Sequence, residues 1–252
     1  MTGSVGPRRA GPGLVEMWRI LRLALAHRRE PLPFGRAVSE LVLRYLRNRG
    51  VPIGGRLLDV GTGSGTLPEA LSSAGGIPVA LDIADRRVAG VGRTAFSIGR
   101  GERLPFRSSS FELVLSSNVL EHVGDPWRVI DELMRVCRPG GFVYLSWTNW
   151  YSPFGGHDWS PLHYLGPRLG PRLFEAIRGR PPLIVPGRNL FPLHVGQVIR
   201  GLEARETTIV DVAPRYWPSL KFLGRVPILR EFAMWNCVIL LRRGNHRRRA
   251  PS

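Results

Sequence analysis

Asp59-Val60-Gly61-Thr62-Gly63-Ser64-Gly65 carries the residue types of a ligand cradle, a carboxylate followed by glycines at alternate positions. Glycine brings bare backbone N–H groups close to a ligand and takes left-handed torsions without strain. The flanking sequence shows what holds such a loop. Arg56 to Val60 is a short apolar run after Gly54-Gly55, too short for a helix, and reads as a buried strand. Thr66, Pro68 and Glu69 read as a helix start, with Thr66 as the cap and Glu69 three residues on. Gly75-Gly76 closes that helix. A strand running through a glycine loop into a helix aims N–H groups at a ligand from the positive end of a helix dipole. That is the arrangement of a nucleotide-type cofactor site.

Two phosphate-binding patterns fail here. The dinucleotide fingerprint places its third glycine three residues after the second, where this chain has Thr66. A P-loop ends in Gly-Lys-Ser/Thr, and Lys221 is the only lysine. The stretch resembles motif I of the class I S-adenosylmethionine-dependent methyltransferases, acid-x-Gly-x-Gly-x-Gly, matched at Asp59, Gly61, Gly63 and Gly65. The resemblance implies S-adenosylmethionine as cofactor, with Thr62 inside the cradle. It also implies an α/β fold with a Rossmann-like, seven-stranded, mostly parallel sheet, helices on both faces and the last strand antiparallel.

Further residues extend the site. Pro78 to Leu81 reads as a second buried strand ending at Asp82, and an acid at that tip can accept both ribose hydroxyls, with Ile83 beside it. Arg100-Gly101-Glu102-Arg103-Leu104-Pro105-Phe106 resembles the family's third-strand motif, Asp-Ala-Glu-x-Leu-Pro-Phe. Arg100 stands where the adenine-contacting Asp is expected, which leaves the adenine edge to the backbone of Gly101 and Glu102. Ser117 and Asn118 end the fourth strand on the cofactor side. Leu120-Glu121-His122 then resembles the family's substrate-facing loop.

Methyl transfer from a sulfonium is an in-line displacement, so the protein mainly aligns the acceptor and excludes water. A hydroxyl acceptor also needs a base near neutral pKa, and histidine is the natural candidate. His122 is the first choice and His157 the second. Trp150 and Tyr164 are expected to contact substrate, and Asn118 to orient it. His157, Asp158 and His163 fit no standard metal-ligand spacing, so no metal is expected.

The elements that must position these groups follow from periodicity. Residues 1–13, rich in Gly, Pro and Arg, are expected to be disordered. Leu14 to His27 reads as an amphipathic helix with Arg19, Arg22, Arg28 and Arg29 around it. It either packs over the cofactor edge or touches anionic lipid. At about 1 kcal/mol per arginine such a contact is transient. A helix over Arg36 to Arg49 completes the N-terminal segment 14–50, with Phe34 placed to lid the cofactor. The core spans 51–147, with further strands at Ala95–Gly99, Phe111–Ser117 and Phe142–Trp147 and a helix from Asp125-Pro126 to Cys137. Residues 148–194, heavy in Pro, Gly and aromatics, read as an irregular substrate lid, long enough to imply function. A helix over Val195–Ala204 and strands at Thr207–Val212 and Asn236–Leu241 fill 195–242. A basic tail, 243–252, ends the chain.

At 252 residues with 43% hydrophobic content the chain suits one α/β domain with additions. It shows no apolar run long enough to span a membrane, and two cysteines make no disulfide framework, so a cytoplasmic protein is expected, at most peripheral at the inner membrane face. The net charge of +17 attracts anionic surfaces without specificity. Specific nucleic-acid methylation is disfavoured. Exocyclic-amine enzymes carry an Asn/Asp-Pro-Pro-aromatic turn where Ser117-Asn118-Val119-Leu120 stands, and neither Cys137 nor Cys237 lies at the site. The expected acceptor is a small molecule or a lipid- or glycan-linked group, methylated at oxygen. The alternatives are a catalytically silent S-adenosylmethionine-binding module and an NAD(P)-dependent oxidoreductase.

Overall fold

A computed structural model of the chain describes residues 22–23, 31–92, 94–205 and 207–244. The expected disordered N-terminus, nearly all of the first amphipathic helix and most of the basic tail lie outside these residues. The strands are β1 (Gly55–Val60), β2 (Gly76–Asp82), β3 (Ala95–Ile98), β4 (Phe111–Ser117), β5 (Cys137–Thr148), β6 (Thr207–Pro214) and β7 (Asn236–Arg243). They form one seven-stranded sheet in the order β3-β2-β1-β4-β5-β7-β6. The first five pair in parallel, and β7 is inserted antiparallel between β5 and β6. The expected topology is the observed one.

Strands covered on both faces need apolar residues at nearly every position. Leu57 and Leu58 of β1, Leu113 to Leu115 of β4 and Val143 to Leu145 of β5 are accordingly all buried. Leu58, Val60, Val114, Val143, Leu145 and Ile239 face one side, packed against α3 (Pro126–Val136) and α5 (Val195–Glu203). Leu57, Leu113, Leu115, Tyr144 and Leu240 face the other, under α1 (Pro31–Asn48) and α2 (Thr66–Ser73). The order of strands turns at β1–β4, which leaves a crevice beyond their carboxyl ends where open α/β sheets bind ligands.

Local chemistry explains most element ends. Pro31 and Pro33 lie in the first turn of α1, where a missing N–H costs little, so the helix starts five residues before the expected Arg36. Tyr45 and Arg49 both donate to Asp211 of β6, at 2.8 and 2.7 Å, which ties α1 to the far strand. Asp125 caps α3 by accepting from the amides of Trp127 and Arg128. Thr66 does not cap α2. Gly65, in a left-handed conformation, takes the cap position, and the Thr66 hydroxyl instead accepts from Ser39 of α1 at 3.2 Å. The glycine loop therefore turns directly into the helix.

The lid differs from its expected irregularity. It contains α4 (Gly166–Arg178) and short 3-10 turns at His157–Trp159 and Leu162–Leu165. It also has a small core of Trp150, Trp159, Phe174 and Leu190. A final helix, α6 (Pro227–Ala233), precedes β7.

Candidate active site

The loop from Gly61 to Gly65 crosses the carboxyl end of β1. Gly61, Gly63 and Gly65 have φ values of 79°, 52° and 85°, a region that favours glycine. Gly61 and Thr62 donate their amides to Leu81 O, and Gly63 donates to Asp82 Oδ2 at 2.9 Å. Ile83 donates to Asp82 Oδ1 at 2.7 Å. Asp82, expected to hold a ribose, thus also clamps the glycine loop to the tip of β2. Ile83 beside it is exposed. From outside, Val88 donates to Ser64 O at 3.1 Å and Arg87 packs near Gly65.

Asp59 sits beneath this loop, buried, and its Oδ2 has no hydrogen-bond partner among the described residues. Burial pushes its carboxyl up to about 7, the Thr62 hydroxyl pulling it down and Asp82 adding to the rise. A Cβ built on Gly63 would meet nothing within 4 Å, so that face of the loop is open. A buried orphan carboxylate oxygen and an open backbone cradle are what the cationic amino-acid end of S-adenosylmethionine fits.

Gly101 and Glu102, expected at the adenine edge, lie in the loop after β3. Glu132 accepts the Leu104 amide, and Arg135 donates to Leu104 O and Phe106 O, which fixes the loop after β3 onto α3. Arg128 donates to Glu102 O. Gly101 abuts Val129 and Val60, which leaves little room for a side chain there. Phe34 lies half-buried in the first turn of α1, next to Gly35, which packs on Ser64 and Thr66.

After β4, Val119 touches Gly61, so the turn Leu120–His122 stands against the glycine loop. Glu121 is buried and accepts the Thr148 amide through Oε1 at 2.8 Å. His122 Nδ1 pairs with Asn189 O at 2.8 Å, and His157 Nδ1 with Gly155 O at 3.3 Å. The two imidazoles meet edge to face with centroids 4.9 Å apart. The expected pair, 35 positions apart in the sequence, is thus brought together. Burial lowers the pKa of His157, with Glu121 opposing, which favours the neutral ring.

Other expected residues have partners of their own. Ser117 Oγ and Asn118 Oδ1 accept from Arg215 at 2.7 and 3.1 Å, so these side-chain atoms serve a buried guanidinium rather than the cradle. Trp150, expected at the substrate, is only 8% exposed and packs edge-on against Trp159 and His163 inside the lid. Tyr164 is 51% exposed, stacked on His163, and donates to Tyr151 O. His163 is buried with Nε2 on Ser152 O, and Asp158 accepts the amides of Leu183 and Ile184. Arg215 and Glu121 were not expected as site residues. Arg215 had no signal among so many arginines, whereas Glu121 was legible inside Leu-Glu-His.

The methyltransferase-domain family matches residues 58–145, from β1 to β5. An uncharacterized methyltransferase of Mycobacteroides abscessus is 39% identical over 205 residues, covering 77% of this chain and 78% of that protein. The chain belongs to the S-adenosylmethionine-dependent methyltransferases. An uncharacterized methyltransferase of Mycobacterium tuberculosis is also 39% identical, over 75% of this chain and 77% of that protein. The fold is shared with the crystal structure of an S-adenosylmethionine-dependent methyltransferase from Mesorhizobium loti, with TM-score 0.57 and 22% identity over 81% of this chain and 98% of that one. It is shared too with the magnesium protoporphyrin IX methyltransferase of Synechocystis solved with S-adenosylhomocysteine, with TM-score 0.51 and 16% identity over 97% and 90% of the two chains. No helix among the described residues of this methyltransferase is long and apolar enough to cross a membrane. Both cysteines are buried in the sheet, and burial pushes the Cys137 thiol up to about 12, far from a nucleophilic thiolate.

The Asp59 carboxyl of the methyltransferase gives a pH signature. Its folded pKa of about 7 lies above the unfolded value of about 3.9, so folding favours the protonated form. Its contribution to stability is present in full below about pH 4 and lost as pH rises through about 7. Asp59→Asn is expected to melt a few degrees above the parent at about pH 8, with the gap closing towards about pH 5. The same variant binds S-adenosylmethionine more weakly, because its ammonium group loses a carboxylate. Melting curves at both pH values, with and without cofactor, check this, and a pH-independent gap contradicts it.

Proposed function

We propose that this methyltransferase methylates an oxygen of a small-molecule or lipid- or glycan-linked acceptor. The observation that carries the reading is the pairing of the glycine cradle with His122 and His157, joined through the contact of Val119 with Gly61. S-adenosylmethionine bound there supplies a methyl group already activated by its sulfonium. In this reading Asp59 and the loop from Gly61 to Gly65 hold the amino-acid end. Asp82 turns its remaining lone pairs to the ribose. Ile83 and the backbone of Gly101 and Glu102 flank the adenine, and Phe34 covers the edge. The imidazoles of His122 and His157 meet the acceptor's oxygen, while Tyr164 at the lid rim contacts the rest of the acceptor. The lid excludes water, and alignment alone is worth roughly 7–11 kcal/mol.

The outer face of the lid favours a lipid-linked acceptor. Leu165, the residue before α4, and Leu169, Leu173 and Ile177 within it recur every four residues and are all exposed, with Arg168, Arg172 and Arg178 exposed beside them. An apolar stripe bordered by cations suits transient contact with an anionic bilayer.

Incubation with methyl-labelled S-adenosylmethionine and fractions of a mycobacterial extract tests the proposal. Label is expected in the lipid, glycan or small-molecule fraction, on oxygen. Label confined to RNA, DNA or protein overturns the acceptor class. Cofactor binding without label in any fraction makes the chain a silent binding module instead.

A further inference from the structure

We propose that Glu121, His122 and His157 form a site for a divalent transition-metal ion on the acceptor side of the cleft. The inference rests on the reading of that side as the acceptor site and names what occupies it. One potential ligand atom from each residue lies within 4.8 Å of the others. Three ligands bonded to one ion at about 2.0–2.2 Å sit roughly 3.3–3.6 Å apart, so closing the widest pair takes about 1–1.5 Å, shared between two side chains.

Three further observations point to a cation. Glu121 is 1% exposed, and with Oε1 on the Thr148 amide its Oε2 has no partner among the described residues. The charge of the buried Arg215 guanidinium acts on Glu121, but its hydrogen bonds go to Ser117, Asn118, Tyr144 and Ser146, so Oε2 itself is left without a donor, which is costly for a buried oxygen. The histidines are held as ligating histidines are held. Each has Nδ1 on a backbone carbonyl, of Asn189 and of Gly155, which fixes the tautomer and leaves Nε2 for an ion. Finally, His157 has φ of +53°, uncommon for a residue with a side chain although histidine visits the region more than most. Such strain gathers at sites where one side chain must be aimed.

The donor set selects the ion. Two imidazoles and one carboxylate suit zinc or ferrous iron, whereas magnesium and calcium prefer oxygen alone. Three protein ligands leave open positions, as in catalytic rather than structural sites. Those positions are available to an acceptor's hydroxyl oxygen; a Lewis acid would lower its pKa so that the proton leaves to solvent water, and the two imidazoles then act on the acceptor as ligands of the ion rather than as bases. The proposal departs from the sequence expectation of no metal. Local spacing rules miss ligands that come from the turn after β4 and from the lid, 36 positions apart between Glu121 and His157. The trio considered from sequence, His157, Asp158 and His163, is not the one that converges.

The test uses the full chain, stripped with chelator and titrated with Co2+ alone. One equivalent is expected to bind with visible d–d absorption bands that Zn2+ abolishes. His157→Ala and Glu121→Gln are each expected to weaken Co2+ binding by on the order of 100-fold. Glu121→Gln keeps an oxygen for the Thr148 amide, and unchanged calorimetric binding of S-adenosylmethionine shows that both variants are folded. A wild-type chain that binds S-adenosylmethionine but gives no bands overturns the metal site, and so do bands that persist in both variants. The spectrum is read without acceptor, so it stands apart from which molecule, or which atom, is methylated.

Discussion

Gly63→Ala is expected to lose roughly 10- to 100-fold in affinity for S-adenosylmethionine while the protein stays folded. A Cβ there projects into open space, so nothing in the chain resists it, and an alanine at φ of 52° costs about 1–2 kcal/mol. Its methyl instead meets the ligand that the cradle is shaped for. An intruding carbon in a packed site costs about 1–3 kcal/mol, which sets the loss in affinity. Gly61→Ala is the contrasting case. A Cβ there would lie 2.2 Å from Val119 Cγ2, on a β-branched side chain that cannot swing aside. This variant is expected to lose about 3 kcal/mol of stability and to displace the turn that carries Glu121 and His122. Calorimetry and melting curves separate the two. Undiminished cofactor binding by Gly63→Ala would show that the open face of the loop is not the cradle.

Arg215→Ala is expected to lower the melting temperature by about 10 °C. Arg215 follows β6 and is buried beneath the carboxyl ends of β4 and β5. Its guanidinium donates to Ser117, Asn118, Tyr144 and Ser146. Asn236 of β7 also donates to Asn118 at 2.9 Å, so one network joins strands β4, β5 and β7 below the acceptor side. Truncation leaves a cavity and takes a donor from four oxygens, of which Asn118 Oδ1 keeps Asn236, together about 3–5 kcal/mol. At about 2–4 °C per kcal/mol for a chain of this size, the expected drop follows. Arg215→Met fills the volume without the charge and is expected to recover part of the loss, because apolar replacement also removes the cost of burying a cation. Arg215→Lys recovers little, since an ammonium lacks the planar fork that serves four partners. An unchanged melting temperature for Arg215→Ala would mean that water replaces the guanidinium at no cost.

The candidate cofactor half of the site and the proposed acceptor half differ in how they are encoded. Asp59, the alternating glycines and Asp82 were legible in the sequence because their chemistry is local. A strand end, left-handed torsions and a following helix are fixed by neighbouring residues. The alternation of buried strands with amphipathic helices announced the sheet in the same way. Even there a local rule gave way once. Thr66 has the type and spacing of a cap, but α1 passes close enough for Ser39 to engage its hydroxyl, and Gly65 takes the cap position.

Only the tertiary structure decided the acceptor half. His122 could be proposed from its place after β4, but its meeting with His157 and Glu121 depends on the lid folding back over that turn. Arg215 reaches Ser117 across 98 positions of sequence because β7 enters the sheet between β5 and β6. Trp150 reads as a substrate contact until the lid's own core of Trp159, Phe174 and Leu190 encloses it. Backbone torsions are set by nearest neighbours, so a glycine loop can be read along the chain. Convergence of polar side chains from distant elements is set by which strands pair and which loops pack, and no short stretch of sequence carries that information.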